Sequence, residues 1–500
     1  MTVNRIEAKL IGPDGVRIPS ANIDIHQAKY VPIIEPSRSD YLRSSRFDYK
    51  GLLPDPLVAF SPVTLKAGDD NLLIWIDIHV PSNVPPGQYN GEVRLITSDL
   101  PIVVPVSLTV WDFTLPDRST CRTSFRFTRY ANRFLFPYHK TETKEDRYAL
   151  SRAYIETMAK YRITPTGPMS AGVWHPDNNG RGSTPQEAIN TYKTEADWAF
   201  NKLHFNATVI GHVSGPSLEQ VTPQIVQKHV DRYLPGIKWM KKNGYLKWCT
   251  LLIDEPRPVT YRGVRQLIKA FRADEVGREV PTFAYVYNAP SYYDLHDIID
   301  ILTPINNDAT GVVSPVGIKK RQLDNKETWF YYTRTAHLWI DSPGINHRLW
   351  APSVQAFGGT GLAIWAINMW WNNPTVAKNH IQYNPWENPH TTWGNGSLAY
   401  FYPPNRLGKA LPEKDMSIVP SLRMLLTRDG IEDFEYVVIL KKLITQAKQQ
   451  NINTTDADAA IAATQRPFIT PRSWSLGETY WMQTRAAVAS AIVRLQAQLH

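Results

Sequence analysis

Between residues 120 and 370, short apolar segments alternate with helix-patterned ones, and this alternation constrains the fold more than any other feature. Eight segments read as strands: Arg122–Phe127, Ile163–Gly167, Phe205–His212, Leu246–Asp254, Thr282–Tyr287, Ile299–Ile305, Thr328–Tyr332 and Gly361–Ile367. Each is short, rich in β-branched and aromatic residues, and bounded by polar or turn-forming residues. Helical stretches fall between most of them. Glu145–Tyr161 carries Tyr148, Leu150, Tyr154, Ile155 and Met158 at near-helical spacing, and Glu187–Leu203, Val221–Lys242, Tyr261–Phe271 and Arg348–Phe357 follow. Repeated strand–helix units build a parallel sheet with helices outside it, and eight of them are what a (β/α)8 TIM-like barrel requires. The helices after the fifth and sixth strands are short and weakly patterned.

The flanking regions read differently. Asn71–Val80 and Gln88–Ile96 are strands separated by the turn signal Val84-Pro-Pro-Gly87, and Val104, Val106, Leu108 and Val110 alternate with Pro105, Ser107, Thr109 and Trp111. Period-2 alternation without a convincing helix predicts an antiparallel β-sandwich over residues 1–116, with Pro105 on an edge strand. The barrel is expected over 117–415. Residues 416–500 are expected as C-terminal helices packed on it, from the amphipathic runs Ser421–Leu443, Thr455–Thr464 and Tyr480–Leu499. The architecture is therefore multi-domain, as a chain of 500 residues leads one to expect.

The chemistry concentrates at one strand end. Leu246-Lys-Trp-Cys-Thr-Leu-Leu-Ile-Asp-Glu-Pro256 is an apolar run that delivers Asp254 and Glu255 to the C-terminal end of the fourth strand. That end is where α/β barrels carry their catalytic groups. Adjacent strand residues point to opposite faces, so both carboxylates reach one substrate only if the strand ends and turns between them. Pro256, which has no N–H for the ladder and restricts its predecessor, favours such a stop. Glycosidic cleavage needs an acid for the leaving oxygen and a stabiliser for the cationic sugar. Like-charge repulsion between neighbouring carboxyls favours keeping one protonated, and Glu255, with the longer reach, is the candidate acid. So tight a pair leaves little room for an enzyme nucleophile across the ring. A 2-acetamido group of the substrate can supply one by attacking its own anomeric carbon, and Asp254 is the candidate to orient its N–H. The competing structural reading is a helix-capping turn with Asp254 as N-cap.

Around this pair, Tyr287 and Asn288 end strand five, Tyr331 and Tyr332 end strand seven, and Trp365, Asn368, Trp370 and Trp371 run through and past strand eight. Trp393 and Asn395 lie in a long aromatic-rich loop over residues 372–415. Aromatic faces with amide donors and acceptors suit sugar recognition, although Trp365 also reads as core. If the sugar lacks an acetamido group, Asp308 or Asp341 becomes the required third carboxylate. A non-catalytic carbohydrate-binding protein is the remaining alternative. The acidic run Asp429, Glu432, Asp433 and Glu435 reads as a salt-bridged or solvated helix face.

Other classes are disfavoured. The net charge of +9 comes without a basic stripe, which argues against a nucleic-acid partner. No apolar run is long enough to span a membrane. Metal-ligand spacings, phosphate loops and dinucleotide fingerprints are missing, so neither a metal nor a cofactor is expected. The two cysteines, Cys121 and Cys249, read as free thiols. Met1–Lys9 lacks the apolar stretch of a signal peptide, giving the expectation of a cytoplasmic protein as written, or an exported one if a leader is removed.

Several motifs together resemble glycoside hydrolase family 123 and its uncharacterised relatives. They are Trp75-Ile-Asp-Ile-His-Val-Pro with the following Pro-Gly-Gln-Tyr-Asn-Gly-Glu-Val, Leu-Thr-Val-Trp-Asp-Phe-Thr-Leu-Pro116, Tyr161-Arg-Ile-Thr-Pro165, Ile253-Asp-Glu-Pro256, Gly361-Leu-Ala-Ile-Trp-Ala-Ile-Asn-Met-Trp370 and Leu426-Thr-Arg-Asp-Gly-Ile-Glu-Asp-Phe-Glu-Tyr436. They occur in the family's order over residues 70–445. The resemblance implies a β-sandwich followed by a (β/α)8 barrel. It also implies exo-acting, configuration-retaining β-N-acetylgalactosaminidase chemistry, with Asp254 orienting the acetamido group and Glu255 as general acid/base. Two positions depart from the pattern. Gly394-Asn-Gly396 stands where Gly-Asp-Gly is expected, and Leu425 replaces an acidic residue. The first departure is expected to alter recognition of sugar hydroxyls.

Overall fold

The computed structural model describes all residues except 38–48, 70, 128–138, 141–142, 172–183, 287–288, 306–314, 333–337, 371–383, 392, 405–413, 471–472, 476 and 500. The N-terminal region forms two antiparallel sheets. Strands β1 (Thr2–Ile11), β4 (Val63–Thr64), β6 (Gly87–Thr97) and β7 (Ile102–Val110) make one, in the order β4-β1-β6-β7. Strands β2 (Ile23–Ile33), β3 (Gly51–Ala59) and β5 (Leu73–Ile78) make the other, in the order β3-β2-β5. Alternate residues of both sheets meet in one apolar cluster that joins Leu10, Tyr89 and Val106 to Ile23 and Ile78. Pro105 lies on the edge strand β7, the place in a sheet where a residue without an N–H is tolerated. Val104 differs from the expected pattern by being exposed near the start of that strand.

The following region is a seven-stranded, all-parallel sheet of TIM-like form. Its strands are β8 (Arg122–Phe125), β9 (Thr208–Ser214), β10 (Cys249–Asp254), β11 (Thr282–Val286), β12 (Ile301–Pro304), β13 (Glu327–Tyr332) and β14 (Gly361–Ile364). They run in the order β8-β14-β13-β12-β11-β10-β9. Seven of the eight expected strands are present as regular elements. The eighth expected segment, 163–167, is irregular, yet it lies between the two sheet edges. Phe125 N donates to Thr164 O, Thr166 N to Phe125 O, and Val209 N to Thr166 O, at 3.1, 3.1 and 3.0 Å. Leu246–Trp248, expected as strand, is a 3-10 turn leading into β10.

Alternation divides the strands into two faces. Leu252, Phe283, Tyr285, Ile301, Trp329, Tyr331 and Ala363 fill the inside of the curled sheet. Leu251, Ile253, Ala284, Leu302, Phe330, Tyr332 and Leu362 face the surrounding helices. Those helices start where the sequence supplies caps. Thr143 Oγ1 accepts from Asp146 N ahead of Lys144–Lys160, Thr184 and Glu187 form a reciprocal box at Pro185–Asp197, and Thr222 caps Pro223–Lys242.

Helix Leu422–Gln449 ties the parts together. Arg423 pairs with Asp55 of β3 at 2.9 Å, and Arg428 pairs with Asp77 of β5 at 2.7 Å. Asp433 is held by both Arg348 and Arg485 at 2.7 Å, and Glu432 by Arg162 at 3.2 Å. Glu435 accepts from the Ser119 and Thr120 hydroxyls and from the Thr120 and Cys121 amides just ahead of β8. The acidic run is thus a salt-bridged face, and much of it is buried. Among the described residues no helix is long and apolar enough to cross a membrane, and no group of three or more His, Cys, Asp or Glu side chains is arranged to hold a metal. Cys121 and Cys249 are free and buried.

Candidate active site

Asp254 is the last residue of β10. Leu252, two residues earlier, belongs to the interior cluster, so the same strand phase turns Asp254 into the mouth of the sheet. At Glu255 the backbone leaves the extended region for the left-handed one, at φ 48. Non-glycine residues adopt that conformation at a local cost, and it concentrates at functional turns. Here it ends the strand between the two carboxylates.

Tyr331 lies within the electrostatic reach of both carboxylates. Burial pushes its phenol pKa well above the ordinary value; the charge on neighbouring Tyr285 and the carboxylates of Glu255 and Asp254 push the same way, while the Arg126 guanidinium opposes them. The Tyr285 phenol is pushed up to about 12, by burial first; the Ser124 hydroxyl and Arg126 oppose the rise, and Asp254 adds to it. The two rings pack with centroids 4.6 Å apart at 36°. The Tyr285 hydroxyl lies 3.2 Å from Ser124 Oγ, which lies 3.0 Å from Thr166 Oγ1. Both phenols therefore stay protonated near neutral pH.

His212 was not singled out in the sequence. It stands on β9, beside Leu252 in register, and its Nε2 lies 3.1 Å from Asp254 Oδ2. Its backbone carbonyl accepts from the Tyr233 hydroxyl at 2.8 Å. The available signal was a polar residue near the end of the neighbouring strand.

The other expected residues divide. Trp365 follows β14 half-buried on the interior side and meets Trp393 edge-on at 5.5 Å and 86°. The Trp393 carbonyl accepts from Trp339 Nε1 at 2.6 Å. These two indoles form an aromatic corner. Tyr332 is buried on the helix side, edge-on to Trp350, so Tyr331 is the tyrosine of this strand that faces the mouth. Trp370 is a core residue: it is 2% exposed, donates to Phe401 O at 2.7 Å and packs on Tyr402. Asn368 is buried and bridges to Ala399. Tyr287, Asn288, Trp371 and Asp308 lie outside the described residues.

Asn395 has a structural place rather than a sugar-facing one. It is fully buried, and its Nδ2 donates to Glu35 O, Ser37 Oγ and Asp341 Oδ2 at 2.8, 3.0 and 3.0 Å. Asp341 also accepts from Ser37 N and Oγ, both at 2.6 Å. This clip fastens the segment after β2 to the loop that carries Trp393, and it commits Asp341 to structure. The flanking glycines are required. Gly394 and Gly396 have φ of 107 and 67, and a Cβ would strike the Trp339 indole at the first and Arg423 and Ile340 at the second.

A parallel TIM-like sheet with two adjacent carboxylates at one strand's C-terminal end, beside neutral phenols and an aromatic corner, describes a glycosidase acting on glycans. Residues 186–440 match the model of the glycoside hydrolase 123 catalytic domain, and the chain belongs to that family. A comparison with curated proteins finds no match. Among solved structures, the chain is similar to a family 123 glycoside hydrolase from Clostridium perfringens, described in terms of glycolipid glycan hydrolysis. Identity is 13%, 99% of this chain and 90% of that one are covered, and the TM-score is 0.67. An endo-beta-1,4-mannanase from Thermotoga petrophila is matched at 11% identity over 64% of this chain and 77% of that one, with a TM-score of 0.32.

Proposed function

We propose that the protein is an exo-acting, retaining β-N-acetylhexosaminidase, with N-acetylgalactosamine the favoured sugar, working by substrate assistance on a (β/α)8 barrel whose second unit is the segment 163–167. The observation that carries this reading is the strand end itself. Asp254 faces the mouth, the chain turns at Glu255, and both carboxylates lie close enough to Tyr331 to act on its phenol.

In the first step Glu255 gives its proton to the glycosidic oxygen. The acetamido carbonyl oxygen attacks the anomeric carbon from the opposite face, forming an oxazoline as the bond to the leaving group breaks. Asp254 accepts the acetamido N–H and stabilises the charge that develops there. His212, on the other side of Asp254, holds that carboxylate in place. Glu255, now ionised, takes a proton from water, which opens the oxazoline and restores the original configuration. Tyr331 is a neutral donor bordering this chemistry. The glycolipid glycan hydrolysis described for the Clostridium relative makes a glycolipid glycan one substrate class to test.

Kinetics on aryl β-N-acetylgalactosaminide and β-N-acetylglucosaminide test the proposal. Glu255→Gln is expected to lower kcat by roughly a hundredfold or more, and a thiazoline mimic of the oxazoline is expected to inhibit competitively. Failure to cleave any 2-acetamido glycoside, while other aryl glycosides are hydrolysed, overturns it.

A further inference from the structure

Arg126 follows β8 by one residue. Ser124, two residues earlier, reaches across the inside of the sheet to the Tyr285 hydroxyl, so the strand phase points Arg126 into the same mouth. Its backbone N donates to Ile364 O at 3.1 Å, and Ile367 N donates to Arg126 O at 3.2 Å. These bonds set the guanidinium's root beside Trp365, on the side of the Trp365–Trp393 corner.

The side chain is half-buried. Among the described residues it has no hydrogen-bond or ion-pair partner. Several other arginines withdrawn from water are matched by a carboxylate, Arg122 with Glu327, Arg162 with Glu432, Arg348 with Asp433 and the fully buried Arg423 with Asp55; Arg118, which donates to backbone carbonyls, and Arg232, which lies over the Tyr233 ring, are not. A guanidinium partly withdrawn from water with no carboxylate in direct contact leaves its N–H donors to a ligand. Its planar fork suits carboxylate and sulfate oxygens, which it grips with two parallel N–H bonds. Its influence on the Tyr285 and Tyr331 phenols places the charge over the same cavity as Asp254 and Glu255.

We propose that Arg126 is an anion-recognising subsite of the active site, and that the glycan substrate carries a sulfate ester or carboxylate close to the scissile N-acetylhexosamine. This rests on the β-N-acetylhexosaminidase reading and narrows its substrate class to acidic glycans. The aromatic corner takes an apolar sugar face, Arg126 takes the anion, and the excess of 55 Lys and Arg over 46 Asp and Glu favours the approach of such a polymer.

The test compares four substrates: 4-nitrophenyl β-N-acetylgalactosaminide, its 4-sulfate, its 6-sulfate, and a disaccharide in which the N-acetylhexosamine is linked to a uronic acid. In the native enzyme at low salt, at least one anionic substrate is expected to exceed the neutral one in kcat/KM by roughly tenfold or more. The sulfate and uronate arms identify which anion is read. In Arg126→Met the ratio is expected to fall to near one, and in Arg126→Lys to an intermediate value. Because the ratio is taken within each variant, partial loss of folding cancels. High salt is expected to narrow the native ratio. Calorimetric binding of the corresponding free sugars to native protein and Arg126→Met gives the same comparison without turnover. Equal treatment of neutral and anionic sugars by the native protein, or a preference that survives in Arg126→Met, overturns the proposal. Anion-dependent binding with no cleavage of any 2-acetamido substrate instead overturns the hexosaminidase reading and leaves the subsite standing.

Discussion

Asn395→Asp changes one atom's identity at almost constant volume and restores the acidic residue that the family resemblance implies. It is nevertheless expected to destabilise the protein strongly. All three Nδ2 partners are acceptors (Glu35 O, Ser37 Oγ and Asp341 Oδ2), and they lie within 3.0 Å. A carboxylate there faces Asp341 with no water between them. At an effective dielectric near 20, two such charges 3 Å apart repel by about 5 kcal/mol. The repulsion is relieved if the introduced carboxyl holds a proton. Protonating a group of ordinary pKa near 4 at pH 7 costs about 4 kcal/mol, at 1.4 kcal/mol per unit. The smaller number sets the penalty, so a loss of about 4 kcal/mol is expected at pH 7. The sign of the pH dependence follows. A carboxyl whose folded pKa is raised binds more protons folded than unfolded, so the variant loses stability as pH rises above about 4. At pH 5 the penalty falls to between 1 and 2 kcal/mol, ~1.4 by the same rule. Urea unfolding of native and variant protein at pH 5 and pH 7.5 measures it. Equal stabilities at pH 7.5, or a deficit that does not grow with pH, refutes the buried clip.

Three further outcomes are expected. His212→Asn removes the imidazole that holds Asp254. It should lower kcat on an aryl N-acetylhexosaminide by roughly ten- to a hundredfold, as for loss of a hydrogen bond to a charged group. KM should change little and His212→Gln should rescue in part; an unchanged kcat refutes the role. Arg423→Met leaves the buried Asp55 carboxylate with the Tyr402 hydroxyl and no cation, which should destabilise by about 3–5 kcal/mol in urea unfolding; a loss below 1 kcal/mol, of order one surface pair, speaks against it. His139 is buried, its ring bonded to Asp415 O and the Tyr154 hydroxyl, and burial pushes its pKa down despite the opposing carbonyl. The unfolded chain binds a proton below about pH 6.5 and the folded one does not, so its contribution is present at pH 7 and lost as pH falls below about 6.5. His139→Gln should flatten that part of the stability curve relative to native protein; identical slopes contradict it.

What the sequence carries about this molecule divides by range. Asp254-Glu255-Pro256 is local: an apolar run, two carboxylates and a proline fix where the strand stops, and the turn lies at Glu255. Tyr331 and Tyr332 show the first loss. In a parallel sheet buried on both faces, apolar residues occupy both phases of a strand, so composition does not say which tyrosine points inward. Phase is set by packing, which places Tyr332 on Trp350 and Tyr331 with Tyr285. The tryptophans show the second. Trp370 sits in the same motif as Trp365, yet its N–H is satisfied by Phe401 O and its ring by Tyr402. Aromatic density alone does not separate a sugar platform from a core. Asn395 shows the third, because its partner Ser37 is 358 residues away in the chain. A change at 395 is therefore a change to a four-residue unit of Glu35, Ser37, Asp341 and Asn395, and only the backbone carbonyl of Glu35 is indifferent to side-chain identity. An aspartate at 395 requires a donor in place of Asp341, because the one proton of the Ser37 hydroxyl is already given to Asp341.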